Sequence, residues 1–266
     1  MRDRLISILI GAAIAALISL PAKADDPNWV VGPQQRFDVK SLKIENILGI
    51  VKIDVRDGGQ TTLQINGIRQ RVDAISVKET DGTLSIRGRA ERSVWDWNHW
   101  FDFSYNARKA DQLYVLLTVP KRTRVSVNGI IGKATIGNTE GEIRFSSAGR
   151  TESTIGNVTE AKISLAGSGK ISIGNVAGTL RAETAGSGSI KAGDAGKVNA
   201  DIAGSGSILV GRVNGPLKVD IAGSGDFTAA SVYGPVKTDI AGSGSVTIAG
   251  GEANPLNVDI MGSGNV

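Results

Sequence analysis

Five carboxylates recur along the second half of the chain at nearly constant intervals: Glu183, Asp201, Asp220, Asp239 and Asp259. Carboxylates repeated on one face could bind cations or accept hydrogen bonds from a polysaccharide. A second column, Arg144, Lys162, Arg181, Asn199, Lys218, Lys237 and Asn257, runs two residues ahead of the acidic series and is mostly basic. Side by side, the two columns read either as a mutually neutralising solvated face or as a ligand-binding strip. Stacked carboxylates about 4.8 Å apart repel by roughly 1 kcal/mol per pair in water, which the adjoining cations would offset.

The other cluster with chemical potential is a row of rings, Trp95, Trp97, His99, Phe101, Phe103 and Tyr105, at successive odd positions, with Trp100 among them. A strand here would carry rings on one face and mainly polar groups on the other. The row suits either a cover over an open end or side of the fold, or a platform for sugar faces, lipid headgroups or a partner protein. His99 is the only histidine and cysteine is absent. That composition argues against thiolate metal sites, thiol catalysis, disulfide scaffolds and a serine–histidine triad. No catalytic residue, metal ligand or cofactor is expected.

These residues need elements to hold them, and a repeat supplies the elements. Gly-Ser-Gly begins at Gly167, Gly186, Gly204, Gly223, Gly242 and Gly262, and Gly149 and Gly129 extend the series backwards, giving a period of about 19 residues. Two residues before the glycine stand Val127, Ser147, Leu165, Thr184, Ile202, Ile221, Ile240 and Ile260. Four before it stand Val125, Phe145, Ile163, Ala182, Ala200, Val219, Thr238 and Val258. Mostly apolar columns separated by polar ones are the signature of a half-buried strand. A second strand follows the glycines, with pairs such as Ile171 and Ile173, Ile208 and Val210, and Phe227 and Ala229 facing inward. A unit this short cannot bury its own apolar face, whereas stacking unit on unit makes a continuous core.

The expected fold is therefore all-β: a single-stranded parallel β-helix, right-handed, with coils of about 19 residues. Residues 125–266 form its regular Gly-Ser-Gly repeats, and 37–124 form irregular coils that carry the aromatic insert 91–112. Stacked coils require Ile202, Ile221, Ile240 and Ile260 to line up in one interior file.

The first 24 residues read as an export signal, with Arg2 and Arg4, an apolar run from Leu5 to Leu20, and Ala22-Lys23-Ala24 as a small-x-small cleavage pattern. Residues 25–36 then read as a linker. No later stretch is long and apolar enough to cross a bilayer. The formal net charge is only +4 over the whole chain, so nucleic acid is not an expected partner. A periplasmic, cell-surface or extracellular location follows from the signal.

Laid out by coil, Ile202-Ala-Gly-Ser-Gly-Ser-Ile208, Ile221-Ala-Gly-Ser-Gly-Asp-Phe227 and Ile240-Ala-Gly-Ser-Gly-Ser-Val246 resemble the head GIN domain of auto-transporter adhesins, as does the strand Leu113 to Val119 ending in Pro120. The resemblance spans residues 37–266 and implies a β-helical, adhesin-like envelope protein, but transfers no site residue. Because the sequence stops at Val266, two residues past the last Gly-Ser-Gly, no translocator barrel is expected within it. The favoured reading is a non-enzymatic binding protein for a polysaccharide or envelope protein. The alternatives are a polysaccharide-active lyase or hydrolase, since parallel β-helices also host such enzymes, and a structural protein that assembles end to end or through its strand edges.

Overall fold

The computed structural model describes residues 27–88 and 112–266. The expected leader and the aromatic row Trp95–Tyr105 lie outside the described residues. The described chain is 75% strand, wound into a β-solenoid of about 7 turns with coils about 19 residues apart and a less regular N-terminal part.

That first part comprises β1 (Trp29–Val31), β2 (Gln35–Phe37), β3 (Ser41–Arg56), β4 (Thr61–Ile68), helix α1 (Arg69–Asp73), β5 (Ile75–Thr80), β6 (Thr83–Gly88), β7 (Leu113–Pro120) and β8 (Arg124–Ile136). β3 is the foundation coil. On one side it pairs in parallel with β8 from Ser41↔Arg124 to Ile53↔Ile136. On the other it pairs in parallel with β6 and β7. β4 then adds to β7 antiparallel, β1 and β2 add to β4, and β5 closes on β6 as a hairpin. The first end of the solenoid is thus covered by antiparallel strands, two of which begin inside the stretch 25–36 expected to be a linker.

The repeats follow as β9 (Glu142–Gly149), β10 (Thr151–Ile155), β11 (Glu160–Gly167), β12 (Lys170–Ile173), β13 (Val176–Gly186), β14 (Ser189–Ala192), β15 (Ala195–Gly204), β16 (Ser207–Val213), β17 (Leu217–Gly223), β18 (Asp226–Gly242), β19 (Ser245–Ile248) and β20 (Gly251–Gly262). Equivalent strands of successive coils pair in parallel and keep register up to the glycine corner, Gly167↔Gly186, Gly186↔Gly204, Gly204↔Gly223, Gly223↔Gly242 and Gly242↔Gly262, with a register shift earlier in the β13–β15 and β18–β20 pairs. The inward columns form the core, with Ile163, Ala182, Val219, Ile202, Ile221 and Ile240 all buried and Phe145 and Phe227 the bulkiest enclosed side chains. Ile260 continues the file in register with Ile240, yet is 40% exposed because no coil lies over it among the described residues.

The two glycines of Gly-Ser-Gly answer different constraints. Gly204 turns the corner at φ +109°, where a Cβ would come 2.7 Å from the Gly186 carbonyl oxygen of the coil below. At Gly225 the limit is space, since a Cβ would lie 2.4 Å from the Ile202 side chain. A second corner is held by a side-chain ladder: the backbone N–H of Asn157, Asn175, Asp194 and Arg212 donates to the Oδ1 of Asn138, Asn157, Asn175 and Asp194 respectively, at 2.8–2.9 Å. Each ladder residue supplies an acceptor to the next coil, so turns that leave the sheets remain hydrogen-bonded.

Candidate functional site

Along the glycine-ended sheet, residues on either side of the inward file point outward. On one side stand Glu183, Asp201, Asp220, Asp239 and Asp259, brought into a single column by the strand register. Ser164 and Ser146 continue that column toward the N-terminal end. On the other side stand Ala148, Ala166, Ala185, Ala203, Ala222 and Ala241, ending in Met261. The alanines are too short to fill the space beside the taller carboxylates, so a groove of about 1020 Å³ runs along the solenoid from Asn128 to Met261. Its floor is the strand backbone at Leu165, Thr184, Ile202, Ile221 and Ile240, whose side chains are buried in the core. Crossing eight rungs about 4.8 Å apart, the groove is about 34 Å long.

The acidic wall is partly neutralised by the column beside it. Lys218 Nζ reaches Asp220, Lys237 Nζ lies 2.8 Å from Asp239 Oδ2, and Lys162 Nζ lies 3.0 Å from Glu183 Oε1. Ser164 also donates to Glu183 at 2.8 Å. Burial would raise the Glu183 carboxyl, but Lys162 and Ser164 outweigh it and hold the group below its ordinary range. The Lys237 ammonium does the same for Asp239.

Asp201 departs from this pattern: Asn199 stands where a basic neighbour would be, as Asn257 does beside Asp259. Partial burial and the adjoining Asp220 carboxylate raise its pKa, and the protonated form shares a hydrogen bond with Asp220. The column therefore holds Glu183, Asp220 and Asp239, each paired with a lysine, and Asp201 and Asp259, which have an asparagine in the corresponding place. Its members are spread along the axis and do not converge. Among the described residues no group of three or more His, Cys, Asp or Glu is arranged to hold a metal ion.

All five carboxylates singled out from the sequence thus share one wall. The ring residues Trp95, Trp97, His99, Trp100, Phe101, Phe103 and Tyr105 fall outside the described residues. The facing alanine wall went unread in the sequence, although its signal was there: alanine directly precedes the corner glycine in six successive coils, from Ala148-Gly149 to Ala241-Gly242.

Over residues 43–230 the chain matches the family described as "Putative auto-transporter adhesin, head GIN domain". The chain belongs to this family. Among solved structures, the GIN-domain chain is similar to a "putative adhesin" from Parabacteroides merdae, at 14% identity and TM-score 0.56, covering 91% of this chain and 97% of that one. It is likewise similar to a "putative adhesin" from Bacteroides fragilis, at 17% identity and TM-score 0.55, with coverage of 84% and 97%. At such identities these likenesses establish the fold alone. No curated protein matches the chain. Among the described residues no helix is long and apolar enough to cross a membrane.

Proposed function

We propose that this GIN-domain chain is an exported, non-enzymatic binding protein of the bacterial envelope, and that the groove between its carboxylate and alanine walls holds an extended polysaccharide. The groove itself carries the reading. It is long, straight and repetitive, with one hydrogen-bonding register per coil, and so favours a polymer over a compact ligand. Carboxylates accept hydrogen bonds from sugar hydroxyls. The small facing side chains leave room for sugar rings to lie on the floor.

Family membership supports the adhesin-like role. The leader sequence ending at Ala24 supports export, with a mature N-terminus at Asp25. An extended segment of an envelope protein is the second occupant that the same geometry would admit.

The test is retention of the exported chain on immobilised cell-envelope polysaccharides. Ala222→Trp, which places a large ring across an exposed alanine in mid-groove, is expected to abolish retention while leaving the thermal midpoint within a few degrees. Equal retention of the variant would refute the groove as the site. Appearance of new chain ends in uronic-acid polymers would refute the non-enzymatic reading. N-terminal sequencing of the envelope fraction checks export independently.

A further inference from the structure

Toward its N-terminal end the glycine-ended sheet changes character. The column that carries carboxylates farther along continues as Ser164, Ser146 and Asn128, and the column beside it continues as Arg144, Ser126 and Lys43, set in register by β9, β8 and β3. One column further out, Ser41 lies between Thr83 and Arg124. The short side chains of Ser41 and Ser126 leave a depression of about 220 Å³ beside the longer Lys43, Arg124 and Arg144.

Among the described residues Glu142 is the one carboxylate that lines this depression, and its charge is already met, since Arg144 donates to it at 2.7 Å. Lys43 pairs at 2.9 Å with Glu45, which stands outside the depression and also takes Arg87 at 2.7 Å. Arg124 is placed differently. Among the described residues its guanidinium makes no ion pair and no side-chain hydrogen bond, and it stands exposed at the rim. Three cations against one compensated carboxylate, with hydroxyls from Ser41, Thr83 and Ser126 between them, make a donor-rich cradle of net positive charge.

We propose that this cradle binds a phosphoryl group, with Arg124 as its principal anchor. A guanidinium presents two parallel N–H donors that match two oxygens of one phosphate, and the hydroxyls donate to the others. At about 30 Å³ per water the space would hold about seven waters, enough for a tetrahedral oxyanion and the first part of whatever carries it. Inorganic phosphate and a phosphate ester on an envelope polymer share this chemistry. The cradle is separate from the groove: Ser126 and Arg144 precede the groove residues Asn128 and Ser146 by two positions on the same strands, about 6.7 Å away.

Isothermal titration calorimetry of the exported chain with inorganic phosphate, in a low-salt buffer because exposed charges are screened, is expected to show saturable binding. Arg124→Gln is expected to weaken it at least tenfold with the thermal midpoint unchanged, and Arg124→Lys, which keeps the charge but not the fork, to weaken it less. Arg212→Gln removes the same charge from an exposed position in another coil and should leave binding as it is. Glucose 1-phosphate separates the two sources: binding at least as tight as that of inorganic phosphate assigns the cradle to an esterified group, and weaker binding assigns it to the free ion. No saturable heat with either probe, full affinity in Arg124→Gln, or equal losses in Arg124→Gln and Arg212→Gln would each overturn the proposal. Ala222→Trp, which obstructs the groove, should leave phosphate binding intact, so the cradle and the groove fail separately.

Discussion

At the scale of single residues, the carboxylate column shows how burial and a neighbouring carboxylate set one member of a repeated environment apart. Asp220 and Asp239 each have a lysine two residues earlier on the same strand, whereas Asp201 has Asn199 and Asp259 has Asn257. Burial and the Asp220 charge raise the Asp201 pKa above its value in the unfolded chain, so the native state favours the protonated form. That preference stabilises the fold fully below the unfolded carboxylate pKa and is lost as pH rises through the higher, folded value. Glu183 and Asp239 behave oppositely: their depressed pKa values contribute stability above the unfolded value that is lost on acidification. Asp201→Asn removes the neutral-pH cost and keeps an amide that can donate to Asp220. Because the site is largely solvated, the variant is expected to gain only a few tenths of a kcal/mol at neutral pH. The gain should vanish below pH about 4, where Asp201 of the wild type is itself protonated. Urea unfolding across that range checks both the sign and the window.

At the scale of elements, the corner glycines decide whether a coil can stack. Replacing Gly204 by Ala forces an L-residue into the left-handed region, at about 1–2 kcal/mol, and drives its Cβ toward the Gly186 carbonyl oxygen. The expected outcome is a loss of at least that size in equilibrium unfolding, whereas Gly58→Ala, with open space around it, should show the conformational cost without the clash. This corner was legible in the sequence because the same conformational requirement recurs in every coil, and the period-2 alternation around Ile202, Ile221 and Ile240 fixed which side faced inward. The carboxylate column followed from the same period. The alanine wall did not, since an exposed alanine carries no chemical signal of its own and matters only through what it leaves empty beside Asp201 and Asp220. The N-terminal cap was equally hidden. Pairings such as Gln35↔Leu63 and Ile65↔Val115 join different strands across long separations, and no repeated spacing announces them. The Asn138–Asp194 ladder lay in plain view as Gly-Asn and Gly-Asp pairs, but its geometry becomes apparent only once coils are stacked.

At the scale of the whole molecule, each coil is stabilised by its two neighbours, so the same substitution costs different amounts at different heights. Ile202 lies between Thr184 and Ile221 in the closed interior file. Its truncation to Ala leaves a cavity on both sides and is expected to cost about 2–5 kcal/mol. Ile260 touches the file from one side only and is already 40% exposed, so Ile260→Ala should cost less than about 1 kcal/mol in the isolated chain. Urea denaturation of the two variants checks the order: a penalty at Ile202 no larger than that at Ile260 would mean that the interior file is not enclosed coil by coil.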